Sequence, residues 1–169
     1  MRNALKLAVL VLVVALGLVI QSTASGSGGK DVLEFDVMAP VDGPFTGATN
    51  AIRGQPGGGL PWELDRARGE LRTDGRLDVR VEGLVLARRA PVPPDRQGVN
   101  PIAQFRAVVN CLTPQSPVSG ETVSSEPATA STSGDATIRD DVDLPEDCFA
   151  PIVFVSAAPT GGWFAVTGR

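Results

Sequence analysis

A strict alternation of apolar and charged residues in the middle of the chain predicts a β-hairpin. Between residues 77 and 82, leucine and valine alternate with aspartate, arginine and glutamate, which is the pattern of a half-buried strand. A preceding strand is predicted over residues 60–72, and the residues 73–75 between the two are typical of a tight reversal. The second strand is expected to end near Leu86.

Weaker versions of this pattern lie on both sides of the hairpin. Residues 31–41 alternate in part, and residues 136–144 alternate except for Asp140, which falls on the apolar face. Near the C-terminus, the apolar runs 152–157 and 163–167 flank a Pro/Gly-rich turn. We therefore expect a second, terminal hairpin.

These elements predict an all-β fold. Gly, Pro and Asp turns separate about seven to nine short strands, and no helical period occurs after the N-terminal segment. The sequence predicts a single antiparallel β-sandwich, or a partly closed barrel, over residues 31–169. That length suffices for one well-filled core and is too short for two.

The N-terminus has the features of an export signal. A short basic segment precedes the apolar run 7–20, and small residues lead to a predicted cleavage site after Ala24. Fourteen apolar residues are short for a bilayer span, which needs about 20. We expect a signal peptide over residues 1–24, a flexible spacer over residues 25–30, a secreted protein and no membrane insertion after cleavage. An uncleaved signal anchor that tethers the domain to the membrane is the alternative.

The two cysteines of the chain, Cys111 and Cys148, each lie in an apolar run, 105–112 and 148–155. In an exported chain they are expected to form one disulfide. The bridge closes a loop of about 38 residues, which constrains the unfolded chain by roughly 4 kcal/mol in the chain-entropy model. Because this loop is rich in Ser, Thr and Pro, we expect the bridge to join two core strands across a weakly structured insert.

Charge and composition exclude several classes of function. Without the signal peptide, 13 basic residues face 19 acidic ones, a net charge of −6, which argues against a nucleic-acid partner. The chain contains no histidine and no tyrosine. It therefore has no histidine-based triad and no imidazole zinc site. We expect a protein that is not an enzyme and that needs no cofactor.

The acidic residues Asp140, Asp141 and Asp143 form the weak metal candidate of the sequence. Calcium binds several carboxylate and carbonyl oxygens around one point, and loop ends of β-sandwiches can supply them. However, Asp141 and Asp143 alternate along a predicted strand, and the run lacks the glycine spacing of a calcium loop. A solvated strand face is the competing interpretation.

Trp62 is the weak candidate for ligand binding. An exposed indole can stack on a sugar ring, with nearby acids or arginines as hydrogen-bond partners. Burial in the core is the competing interpretation, since a tryptophan buries 150 Å² or more. Trp163 begins a predicted strand next to Phe164, so one of these two rings should face inward and the other outward.

Several stretches carry a resemblance to other proteins: RGQPGGGLPW at 53–62, NPIAQFRAVVNCLT at 100–113, DLPEDC at 143–148, and the runs at 150–155 and 163–168. They resemble a group of uncharacterised exported proteins of high-GC bacteria. The resemblance covers most of the chain after the signal peptide. It implies an extracytoplasmic domain, and it implies no activity and no catalytic residues.

Together these observations predict a secreted, non-enzymatic β-sandwich that serves as a binding or structural module at the cell surface or in the medium. Its expected partner is an unidentified protein or glycan of the cell envelope. The alternative is a carbohydrate-binding domain or a carboxylate-dependent hydrolase that uses acidic residues and Trp62.

Overall fold

The computed structural model describes residues 28–159 and 161–168, so the predicted signal peptide and half of the spacer lie outside the described residues. Two 3-10 helices, Gly43–Phe45 and Pro94–Arg96, are the only helices in this part of the chain. No helix of these residues is long and apolar enough to cross a bilayer. The strands are β1 (Asp31–Phe35), β2 (Ala39–Pro40), β3 (Trp62–Glu63), β4 (Arg66–Arg72), β5 (Arg76–Glu82), β6 (Val85–Leu86), β7 (Gln104–Leu112), β8 (Glu121–Ser124), β9 (Ala128–Thr129), β10 (Ala136–Asp141), β11 (Phe149–Ala157) and β12 (Trp163–Val166).

The strands form two antiparallel sheets packed on each other. The first sheet has the order β1-β4-β5-β10, and the second has the order β2-β12-β11-β7-β8, with β9 also paired to β7. The short pair β3-β6 extends the β4-β5 hairpin. The predicted all-β antiparallel sandwich is confirmed, and eight of the twelve described strands have four residues or more.

The main core lies between the two sheets. Inward-facing side chains alternate with polar ones along β4, β5 and β10, as half-buried strands require. Burial of one such large apolar side chain contributes about 1.5–3 kcal/mol. The largest fully buried residues are Phe105, Phe154, Leu71, Leu77, Leu84, Ile138, Val41, Val79, Val81, Val109, Val153 and Val155.

The predicted central hairpin is confirmed. β4 and β5 pair without a register shift from Arg66↔Glu82 to Leu71↔Leu77, and the turn between them contains Gly75 at φ +87°. The positive φ explains the glycine, because residues with a Cβ rarely adopt this conformation. The predicted strand 60–72 is interrupted between β3 and β4, but both parts keep the same register with their partners.

The disulfide Cys111–Cys148 is present, as predicted, with a Cα–Cα distance of 4.9 Å. It joins β7 to the residue that precedes β11, and these strands are hydrogen-bonded neighbours in the second sheet. The segment between the cysteines contains the strand predicted over residues 136–144 and two more strands in the Ser/Thr/Pro-rich part, which was expected to be weakly structured. It provides β8 and β9 to the second sheet and β10 to the first, so strand pairing on both sides of the sandwich holds it in place.

The single strand predicted over residues 31–41 is in fact divided. β1 lies at the edge of the first sheet and β2 at the edge of the second, so the chain crosses between the sheets at residues 36–38. The crossing leaves Val37 half exposed, at 50%, although the alternation predicts it to be buried. Val37 is exposed because the residues of a crossing segment no longer alternate between the two faces of a sheet.

The last residues of the predicted spacer are attached to the domain. The backbone N–H of Gly29 donates to the Asp74 carboxylate at 2.8 Å, and that of Lys30 donates to the Thr73 hydroxyl at 2.9 Å. The Thr73 N–H in turn donates to the Lys30 carbonyl. Residues 29–30 therefore continue β1 toward the β4-β5 turn.

A glycine-rich loop over residues 43–58 covers part of the outer face of the second sheet. The indole N–H of Trp163 donates to the Gln55 carbonyl at 3.1 Å. The guanidinium of Arg53 donates to the Asn110 side chain at 3.1 Å and to the Ala150 carbonyl at 2.8 Å, and its burial lowers the pKa of Arg53. This coverage explains why Trp163, on the opposite face of β12 from Phe164, is buried as well.

Candidate functional site

The outer face of the first sheet forms an open groove of about 600 Å³. It crosses all four strands of this sheet, and most of its lining is charged. The lining residues are Glu34, Phe35 and Asp36 of the β1 region, Arg68, Gly69 and Glu70 of β4, Asp78 and Arg80 of β5, and Arg139 of β10. Unlike the outer face of the second sheet around Trp163, this face carries no covering loop among the described residues.

Like charges lie opposite each other in this groove. Arg68 of β4 pairs in register with Arg80 of β5, and the next outward-facing pair is Glu70 with Asp78. Glu34 of β1 lies opposite Glu70 on the other side. Side chains directly opposite on antiparallel strands have Cβ atoms about 5 Å apart, and like charges at this distance destabilise a sheet.

Several of these charges are partly compensated by neighbours. Arg139 of β10 lies opposite Asp78 and its Nε contacts the Asp78 carboxylate at 2.6 Å, a hydrogen bond that raises the pKa of Arg139. Glu70 contacts the Arg72 Nε at 3.5 Å, and Arg80 contacts Glu82 at 3.1 Å through its own Nε. These pairs are solvent-exposed, and such surface ion pairs contribute little to stability.

Other charges of the groove have no such partner. Within the described residues, Arg68, Glu34 and Asp36 form no ion pair, and their side chains form no hydrogen bond. All three are exposed to solvent. The groove therefore contains an arginine pair, Arg68 with Arg80, and an acidic row, Glu34 with Glu70 and Asp78. Other residues of the protein neutralise the charges of both only in part.

Phe35 supplies the aromatic ring of the groove lining. It is half-buried and lies opposite Gly69 in the register of β1 and β4. A Cβ atom at position 69 would lie 2.6 Å from the Phe35 ring and would overlap the Asp78 carbonyl oxygen. Glycine at position 69 therefore allows the ring to lie close to the backbone of the sheet.

Trp62, the predicted ligand-binding residue, lies in the core with only 3% of its surface exposed. Its indole stacks on Phe164 with ring centroids 4.0 Å apart and meets the edge of Phe105 at 6.4 Å. The ring is therefore not accessible for stacking on a ligand. Its burial accords with the competing interpretation, a core tryptophan.

The three aspartates proposed for calcium are not brought together. The Asp140 carboxylate accepts the Glu126 N–H at 2.7 Å and the Asp141 N–H at 2.8 Å, which explains why a charged residue is tolerated on the inward face. Asp141 faces solvent on the opposite side of β10, and Asp143 is exposed beyond the strand. Among residues 28–159 and 161–168, no group of three or more His, Cys, Asp or Glu residues is placed to hold a metal ion.

The groove residues were not singled out by the sequence interpretation, although a signal for them exists. The reversal at residues 73–75 centres the β4-β5 hairpin on Asp74, which sets Arg68 opposite Arg80 and Glu70 opposite Asp78. The position of Arg139 depends on the long-range pairing of β5 with β10 and has no local signal. Comparison of the chain with protein-family models, curated proteins and solved structures finds no match.

Proposed function

We propose that the chain is a secreted, non-enzymatic β-sandwich module that binds a protein or glycan of the cell envelope through the groove on the outer face of its first sheet. Its sandwich holds the groove residues on paired strands, and rigid strands fix the positions of side chains better than loops do. The proposal combines the expected export of the chain with an open groove in which charges without an ion-pair partner among the described residues are concentrated.

The observation that carries this proposal is the Arg68–Arg80 pair. A cross-strand pair of like charges lowers stability, and a single substitution would remove the cost. Arg68 forms no ion pair within the described residues that would offset this cost. Functional sites are where proteins most often depart from the locally most stable sequence, so a ligand is the simplest reason for two adjacent arginines here.

Two observations support export of the chain. The basic and apolar N-terminal pattern of residues 1–24 is that of a signal peptide. The Cys111–Cys148 disulfide is typical of proteins that fold outside the reducing cytoplasm. Both fit a secreted domain, and an uncleaved N-terminal anchor that holds the same domain at the membrane remains the alternative.

Hydrolysis is the second candidate, because Glu70 and Asp78 are acidic residues directly opposite each other on β4 and β5, with Cβ atoms about 5 Å apart, and glycosidases use a pair of nearby carboxyl groups. However, each of these acids contacts an arginine, at 3.5 Å and 2.6 Å respectively, and the groove is open to water. A glycosidase needs one carboxyl group in surroundings that keep it protonated at neutral pH. The arrangement therefore favours binding over hydrolysis.

The test is a binding screen with the full-length chain, expressed with its own N-terminus and purified from the extracytoplasmic fraction. Envelope glycans and envelope proteins are presented to the wild type and to a groove variant, Arg68→Gln with Arg80→Gln. We expect at least one ligand that the wild type binds and the variant loses, with an unchanged circular dichroism spectrum. Ligands bound equally by both would show that the groove is not the binding surface, and turnover of a glycan lost on Glu70→Gln would establish the hydrolase instead.

A further inference from the structure

The chemistry of the groove indicates which class of ligand it accepts. Two rows of charged residues lie next to each other along the strand direction. One row is the arginine pair, Arg68 with Arg80, and the other is an acidic row in which Glu34, Glu70 and Asp78 lie side by side. Residues two positions apart on a strand are about 7 Å apart, so the two rows are separated by about that distance. A ligand that contacts both rows must present different groups to each.

The arginine pair is suited to a carboxylate. The guanidinium of Arg68 has no partner within the described residues, and the ion pair of Arg80 with Glu82 uses its Nε atom. Among the described residues, Glu82 is the only ion-pair partner of Arg80. Guanidinium groups bind carboxylates through paired, parallel N–H···O bonds, and two adjacent forks can hold one anionic group between them.

The acidic row restricts how much negative charge the ligand can carry. Carboxylates accept hydrogen bonds from hydroxyl groups, whereas they repel a second anion. Arg139 neutralises Asp78 at 2.6 Å, but Glu34 has no ion-pair partner in the part of the chain that the structure describes. A densely sulfated or phosphorylated polymer would therefore be repelled by this row, while a hydroxyl-rich unit beside a single carboxylate would be accepted by it.

Phe35 adds an apolar surface to the same groove. The faces of pyranose rings carry C–H groups that pack on aromatic side chains, and such contact needs an aromatic ring near the polar groups that orient the sugar. Phe35 lies opposite Gly69, between the positions of Arg68 and Glu70 on β4. Phe35 packs in part against the core, so only its exposed part borders the groove, and the two charged rows carry the assignment.

From these features we infer that the ligand of the groove is an acidic saccharide, a chain of pyranose units with separated carboxylates. One carboxylate is held between Arg68 and Arg80, and the hydroxyl groups of the adjoining unit donate to Glu70 and Glu34. This inference rests on the proposed binding function and deepens it by naming the ligand class. It does not depend on Trp62 or on a metal ion.

The test is titration calorimetry of the purified full-length protein with a hyaluronan tetrasaccharide, in which uncharged, hydroxyl-bearing units separate the uronate carboxylates. Its methyl ester, a heparin tetrasaccharide and a glutamate-rich peptide serve as comparisons. We expect the uronate to bind and the ester and the heparin fragment to bind at least tenfold more weakly. Arg68→Gln should weaken uronate binding at least tenfold, and affinity should fall as salt is added. The matched control is Arg66→Gln, on the same face of β4 but outside the groove lining, which should bind as the wild type does.

Equal binding of the acid and its ester, or full binding by Arg68→Gln, would overturn the acidic-saccharide assignment. Tighter binding of the peptide than of the uronate would overturn it in favour of a protein ligand. These results are distinguishable from failure of the proposed function, because the envelope screen with the double arginine variant covers neutral glycans and proteins as well. If that screen shows a groove-dependent ligand while the uronate does not bind, only the ligand class is wrong.

Discussion

Arg68 lies directly opposite Arg80 in the register of β4 and β5, on a solvent-facing sheet surface where Arg66, two residues earlier, lies opposite Glu82. The contrast between the two pairs is informative because both lie on the same two strands and on the same face of the sheet. At the Arg66 position the sequence provides an ion pair, at 3.4 Å. At the Arg68 position the sequence provides a repulsive pair, and both of its arginines line the groove.

The first prediction concerns the disulfide. Replacement of both Cys111 and Cys148 by serine should lower the free energy of unfolding by up to about 4 kcal/mol, because the unfolded chain regains the freedom of a long closed loop. Urea unfolding of the wild type and the variant, with reductant as a second comparison, measures this loss. Reduced wild type and variant should behave alike. Two reactive thiols in the exported wild-type protein would contradict the bridge.

The second prediction concerns Trp62. Trp62→Ala should destabilise the domain by about 3–5 kcal/mol, because it removes a buried ring from contact with Phe105 and Phe164. Phe149, which is 58% exposed, offers a control: Phe149→Ala should change stability by less than about 0.5 kcal/mol. Denaturant midpoints measure both. A Trp62→Ala variant that keeps its stability but loses glycan binding would show that the indole binds the ligand.

The third prediction concerns the pH dependence of stability at Asp135. Hydrogen bonds from the Ser133 hydroxyl at 2.7 Å and from the Gly83 N–H at 3.0 Å hold the pKa of Asp135 below its ordinary value. A carboxyl group with a lowered pKa in the folded state stabilises the protein above its unfolded-state pKa of about 4, and this contribution disappears as the pH falls through the folded-state pKa.

Asp135→Asn should therefore be less stable than the wild type at neutral pH, and the difference should shrink as the pH falls below about 4. Thermal unfolding of both proteins across this range measures the difference. A difference that stays constant down to the most acidic pH would mean that the Asp135 charge contributes nothing and that only the geometry of the side chain matters.

The strand pattern predicted the parts of the fold that depend on neighbouring sequence. The hairpin of β4 and β5 and the terminal hairpin of β11 and β12 were identified because a short turn brings adjacent alternating segments together. The split of residues 31–41 into β1 and β2 was missed. Both halves look like strands, and only the packing of the two sheets decides where the chain crosses.

The candidate site was harder to predict from the sequence, because part of it also depends on contacts between distant segments. Arg68 and Arg80 could be paired from the hairpin alone, since a reversal centred on Asp74 fixes their register. Arg139 reaches Asp78 only through the pairing of β10 with β5, which spans about 60 residues and carries no local signal. The burial of Trp163 likewise depends on a glycine-rich loop that folds back over the second sheet.

We propose that the Arg68–Arg80 pair serves binding at a cost in stability. The deciding experiment measures the free energy of urea unfolding and the binding of the uronate tetrasaccharide on the same samples of wild type, Arg68→Gln and Arg66→Gln. Arg68→Gln should be more stable than the wild type by up to about 1 kcal/mol and should bind more weakly, because repulsion across the strands is removed together with the anion site. Arg66→Gln should lose a little stability, because its ion pair with Glu82 is broken, and should bind normally. An Arg68→Gln variant that is less stable than Arg66→Gln and binds as the wild type does would contradict the account.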